Sequence, residues 1–155
     1  MYERILLAAD ETRESLTALR EGALLAQRFG SQVFLLVVNT HNPGMLLADS
    51  VYPSAPRADA PQLFATGLER LRGLGLEASG AVVAGEPAQQ IGAAARRFQA
   101  DLIVVGHRRQ SLLDRWWSGT SRSYIVDQVE CSVLIARNCI SDEAFERLSA
   151  RGDRA

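Results

Sequence analysis

Five short runs of apolar residues punctuate the chain, and each is separated from the next by a stretch of helical periodicity. Arg4 to Ala9 and Val33 to Val38 are continuous apolar runs, the pattern of strands covered on both faces, and so are Leu102 to Val105 and Cys131 to Ala136. Leu76 to Ala84 is a weaker fifth run. Between them, Leu16, Leu19, Ala23, Ala26 and Phe29 mark one face of a helix from about Glu14 to Phe29 that stops on Gly30. Phe64, Leu68 and Leu71 mark a second helix from Gln62 to Arg72 that stops on Gly73. Pro87 opens a third, with Ile91, Ala94, Ala95 and Phe98 inward. Strands alternating with helices in this order demand an α/β fold: a doubly wound parallel sheet with helices on both faces and right-handed crossovers. The 155 residues, 47% of them hydrophobic, are enough for one such domain.

In sheets of this kind, ligands bind outside the carboxyl ends of the strands, where the strand order reverses. Asp10, Val38-Asn39 and Gly106 all stand at such ends. The stretch from Asp101 to Arg137 adds the chemistry. A strand stops on Gly106, a polar and aromatic loop runs to Ser118, and Gly119-Thr120-Ser121 opens a helix to about Val129. The first N–H groups of a helix have no partner within it and carry the positive end of its dipole, so this is a place for a phosphate. Gly119 keeps the approach open, and the hydroxyls of Thr120 and Ser121 add donors. Arg108, Arg109, Arg115 and Arg122 oppose a single Asp114, so the loop is positive in a chain of net charge −1. The competing interpretation of the same residues is an ordinary turn followed by a helix cap.

Composition removes several alternatives. All 17 basic residues are arginine, so a P-loop lysine and Schiff-base chemistry are excluded. Balanced charge without a basic block argues against nucleic acid, and the absence of a leader-like or membrane-length apolar run predicts a cytoplasmic protein without a membrane partner. Cys131 and Cys139 show neither a disulfide framework nor metal spacing, and Cys131 reads as a small buried hydrophobe. Gly73-Leu74-Gly75-Leu76-Glu77-Ala78 imitates a dinucleotide fingerprint, but it lies between helix and strand, the wrong order to present phosphate to a helix start. Neither His41 nor His107 sits in a nucleophile setting. Asn39 to Pro61 carries four prolines, and a connection this long is either mobile or a lid.

Gly106, two residues, Arg109, nine residues, Gly119 and Thr120 resemble the Gly-x2-Gly-x9-Gly-Ser/Thr signature of the universal stress protein family, with arginine at the second glycine. The resemblance extends over about Tyr2 to Arg137 through Ile5 to Asp10, Gly85-Glu86-Pro87-Ala88, Asp101 to Gly106 and Cys131 to Ala136. It implies a five-stranded parallel sheet in the order 3-2-1-4-5 over residues 1–137, and a dimer paired through the last strand, Cys131 to Ala136. Residues 138–155 form an extension, a short helix from Ser141 to Ser149 and a frayed tail. In one branch of the family it implies ATP, with or without Mg²⁺. By the resemblance, Asp10 and Val38 would hold the adenine, Val105 and Gly106 would line the ribose side, and Gly119, Thr120 and Ser121 would take the phosphates, with Arg109 beside them. The other branch lacks the glycine pattern and does not bind ATP. Arg109 either closes the loop, with strain of about 1 kcal/mol if its backbone is left-handed, or reinforces it as a bidentate phosphate donor. The implied function is a stress-response regulatory module, in which nucleotide orders the Gly106 to Gly119 loop and the Asn39 to Pro61 segment and changes the surface shown to a protein partner. A dimeric interaction protein without nucleotide is the alternative. A slow ATP hydrolase is a third, disfavoured by the lack of lysine, of a carboxylate pair and of a base in the loop.

Overall fold

The computed structural model describes residues 1–10, 13–39, 59–106, 125–136 and 140–152. Strands β1 (Arg4–Ala9), β2 (Gln32–Asn39), β3 (Ala78–Ala84), β4 (Leu102–Gly106) and β5 (Ser132–Ala136) form one sheet in the order β3-β2-β1-β4-β5. All four pairings are parallel, with Leu7 opposite both Leu35 and Val104, Val38 opposite Val83, and Val105 opposite Ile135. This is the class that the alternation of apolar runs and helices predicted, and the order that the family resemblance implied.

The continuous apolar runs are explained by burial on two faces. Ile5, Leu7, Ala9, Val33, Leu35, Val37 and Val104 point to one core, and Leu6, Ala8, Leu36, Val38, Ile103 and Val105 to the other. Helices α1 (Arg13–Ala18), α2 (Arg20–Phe29), α3 (Ala60–Gly73) and α6 (Asp142–Gly152) contribute to the first core. Helices α4 (Pro87–Phe98) and α5 (Ile125–Gln128) cover the second. Crossovers to the β2 side therefore run over one face and the β4-to-β5 crossover over the other, as right-handed connections require.

Several boundaries differ from expectation. The helix read as unbroken from Glu14 to Phe29 is two, because Leu19 takes a tight turn. Its N–H is shared between the carbonyls of Ser15 and Leu16 at 3.3 and 3.2 Å, and its side chain is buried in the core. Apolar spacing continues through the turn, so periodicity conceals it. Gly30 ends α2 in the left-handed conformation, φ 65°, as expected. Gly73 is the last residue of α3 rather than the residue beyond it; Leu74 is the cap, and Gly75, φ 76°, makes the left-handed turn. Strand β3 begins at Ala78, and Leu76 before it is a buried core residue. Strand β5 starts at Ser132, leaving Cys131 half-buried just before it. Helix α6 is longer than the Ser141 to Ser149 expectation and runs through Gly152, the Ser141 hydroxyl accepting from the Ala144 N–H at 3.2 Å. The expected helix from Thr120 to Val129 is described only as α5, and the Asn39 to Pro61 connection lies outside the described residues from 40 to 58.

Candidate functional site

The chain enters the sheet at β1, its centre, proceeds outward to β2 and β3, and returns to β4 on the other side of β1. The point of reversal is the junction of β1 with β4. Register fixes what stands there. Ala8 pairs with Val105 and Ala9 with Val37, so Asp10, Val38 and Gly106 all follow at the carboxyl end of three adjacent strands. Four residues named separately in the sequence, Asp10, Val38, Val105 and Gly106, therefore share one edge of the sheet.

They do not present themselves in the same way. Asp10 and Gly106 are half-buried. The Asp10 N–H donates to the Ser15 hydroxyl at 2.9 Å, which ties the end of β1 to the first turn of α1. Val38 and Val105 are each 1% exposed and belong to the core under α4 and α5. Their side chains are structural, and what they can offer a ligand is main chain at the strand ends. Main-chain N–H and C=O groups suit the edge of a purine, which carries donors and acceptors side by side, while a carboxylate accepts from an exocyclic amino group or from ribose hydroxyls. Ala8 and Ala9, both 5% exposed, keep the end of β1 low. The described strand ends therefore offer main-chain donors and acceptors beside one carboxylate.

Arg109, Gly119, Thr120 and Ser121, the residues expected beside the phosphates, lie outside the described residues. Among the described residues there is no cluster of three His, Cys, Asp or Glu side chains suited to a metal ion, and no helix long and apolar enough to cross a membrane.

A further polar group, Glu86, stands near this edge. Past the carboxyl end of β3, the Gly85 N–H donates to the Asn39 carbonyl at 3.0 Å, and Glu86 caps α4 by accepting from the Gln89 N–H at 2.9 Å. Its second oxygen, Oε1, is buried with no hydrogen-bond partner among the described residues, so an acceptor remains at this edge of the sheet. The signal was present in the sequence: an acidic residue directly before a helix-opening proline is a cap, and it stands at a strand's carboxyl end.

The fold is a doubly wound α/β architecture whose strand order reverses between β1 and β4. The sequence profile of the universal stress protein family matches residues 1–137, and the chain belongs to that family. The universal stress protein Sll1388 of Synechocystis sp. is 24% identical over 152 residues, spanning 88% of this chain and 99% of the relative. A universal stress protein solved in complex with cAMP superposes with a TM-score of 0.60 at 18% identity, over 86% of this chain and 95% of its own. The universal stress protein from Archaeoglobus fulgidus in complex with dAMP gives 0.61 at 19% identity, over 88% and 98%. At these identities the two solved structures carry the fold.

Proposed function

We propose that the protein is a cytoplasmic regulatory module that binds an adenine nucleotide at the carboxyl ends of β1, β2 and β4, and that it acts as a homodimer paired through β5. The observation that carries this reading is the meeting of Asp10 and Gly106 at the point where the strand order reverses. It is supported by the two structural relatives solved with cAMP and with dAMP. In this reading the Asp10 carboxylate and the Val38 main chain take the base, Val105 and Gly106 flank the ribose, and Gly119, Thr120 and Ser121 receive phosphate with Arg109 alongside. ATP is the expected ligand, with Mg²⁺ shielding its phosphates. The protein performs no chemistry on it and reports its presence to a protein partner.

The test is thermal unfolding of nucleotide-stripped protein with excess Mg-ATP, AMP or cAMP, beside Gly119→Asp. A ligand at one hundred times its dissociation constant adds about 2.7 kcal/mol, or roughly 5 to 10 °C for a chain of this size. The native protein should shift and the variant should not, since a carboxylate there repels phosphate. Arg109 favours a second reading, an interaction protein without nucleotide. If the native chain shifts with none of the three ligands and Arg109→Gly shifts with ATP, that second reading replaces the first.

A further inference from the structure

On the first face of the sheet, α1, α2, α3 and α6 border a half-open cavity of about 470 Å³. This is the size range of small-molecule sites. Leu7 and Leu35 of the sheet form its floor, Leu16, Leu19 and Leu71 its walls, and Phe145 of α6 part of its roof. The roof is built from the segment beyond residue 137, where the family profile ends.

One side chain fastens that roof. Arg20 donates to the Ile140 carbonyl at 2.6 Å, pairs with Asp142, and lies 5.3 Å from the centre of the Phe145 ring. The pair is lopsided: the Arg20 side chain is 14% exposed and Asp142 85%. Asp142 also lines the cavity and pairs with Arg20 directly, but its carboxylate faces water while the guanidinium is held largely inside. Arg20 commits two of its nitrogens to these contacts, and a guanidinium has five N–H donors. Arg70, exposed at the cavity's edge, pairs with none of the described residues. Among the described lining residues the other acidic group besides Asp142 is Glu146, which is exposed on α6.

We propose that this cavity binds a small molecule with an apolar body and a carboxylate head, the body among Leu16, Leu71 and Phe145 and the carboxylate on Arg20 and Arg70. Helix α6 is the roof that completes the site. None of these residues belongs to the nucleotide site, and the proposal stands or falls separately from it.

Decanoate is a suitable probe, titrated by calorimetry into the full-length protein, with decan-1-ol and decyltrimethylammonium as controls of equal chain length. Decanoate should saturate one site and bind at least about tenfold more tightly than either control, the value of one charged hydrogen bond to carboxylate. Arg70→Gln, at an exposed position and with unchanged circular dichroism, should weaken decanoate about tenfold and leave decan-1-ol unaffected. Isotope-filtered NOEs should connect the decanoate methylenes to the Leu16 and Leu71 methyls and the Phe145 ring. Absence of saturable binding, an alcohol or ammonium that binds as tightly as the acid, an Arg70→Gln variant without effect, or NOEs that miss Phe145 would each overturn the proposal.

Discussion

Strands β4 and β5 lie side by side in the same sheet, have the same length and are almost equally apolar in sequence, yet they do different work. In β4, Leu102, Ile103, Val104 and Val105 are all buried, none more than 3% exposed. In β5, Val133, Leu134 and Ile135 are each half-buried, and only Ala136 is enclosed. The difference is position. A strand with neighbours on both sides and helices on both faces has no surface left, whereas an outer strand keeps an open row of N–H and C=O groups. An apolar edge strand is a hazard in a monomer and an asset in a dimer, and β5 is the edge through which the proposed pairing would run. The site, by contrast, needs the rigidity of the centre: Asp10 and Gly106 extend from the two strands that are packed most completely.

Truncation separates the two regions most sharply. Ile103→Ala should cost about 3 to 5 kcal/mol in denaturant-measured stability, because its side chain is fully enclosed and the sheet cannot close around the gap. Ile135→Ala, opposite Val105 on the next strand, should cost about 1 to 2 kcal/mol in dilute protein. Its effect should grow with protein concentration if β5 pairs two chains, since the native edge would then be covered. Equal losses at both positions and all concentrations would remove the distinction between centre and edge.

The other outer strand sharpens it from the opposite direction. At β3, a side chain on Gly80 would meet the Leu35 carbonyl oxygen of β2 and the Phe64 ring of α3. Gly80→Ala should therefore destabilise by about 1 to 3 kcal/mol, an overpacking cost at an edge comparable with a truncation nearer the centre. Partial relief in Gly80→Ala with Phe64→Leu, read from the same denaturation curves, would identify the ring as part of the obstacle.

How much of this was legible follows from the range of the interactions. A fully covered strand is written as an uninterrupted apolar run, so β1, β2 and β4 could be located directly. Strand β3 reads weakly, as Ala-Ser-Gly-Ala-Val-Val-Ala, because only part of it is covered. The break at Leu19 could not be read, since a tight turn leaves the spacing of Leu16, Leu19 and Ala23 intact. Glycine identity alone did not distinguish Gly73, which α3 absorbs, from Gly75, which turns the chain. At the site, position in sequence placed Asp10 and Gly106 together through strand order, but it did not reveal that Val38 and Val105 have buried side chains and only main chain to give. The cavity under α6 was illegible for a different reason: it depends on Arg20 meeting Asp142 and Phe145, residues more than a hundred positions away, and no local pattern encodes that meeting.

The smallest effect concerns Cys131, expected to be enclosed and found half-buried where the chain enters β5. Burial raises its thiol pKa above the ordinary 9.0; a backbone hydrogen bond opposes the shift and the nearby Asp101 carboxylate adds to it. The raised group is neutral when protonated, so its contribution to stability is fully present and independent of pH below pH 9, where the thiol is protonated in both states. As pH rises past 9 the unfolded chain loses this proton first, and the folded state's advantage at this position declines through the folded pKa. The stability difference between the native protein and Cys131→Ser should thus stay level from pH 6 to 8 and fall in alkali, measured by urea unfolding at each pH. Cys139 is present in both proteins and cancels. A difference that instead grew with pH would mean that the thiolate is welcomed at the entry to β5, and that the edge there is more polar than its apolar sequence suggests.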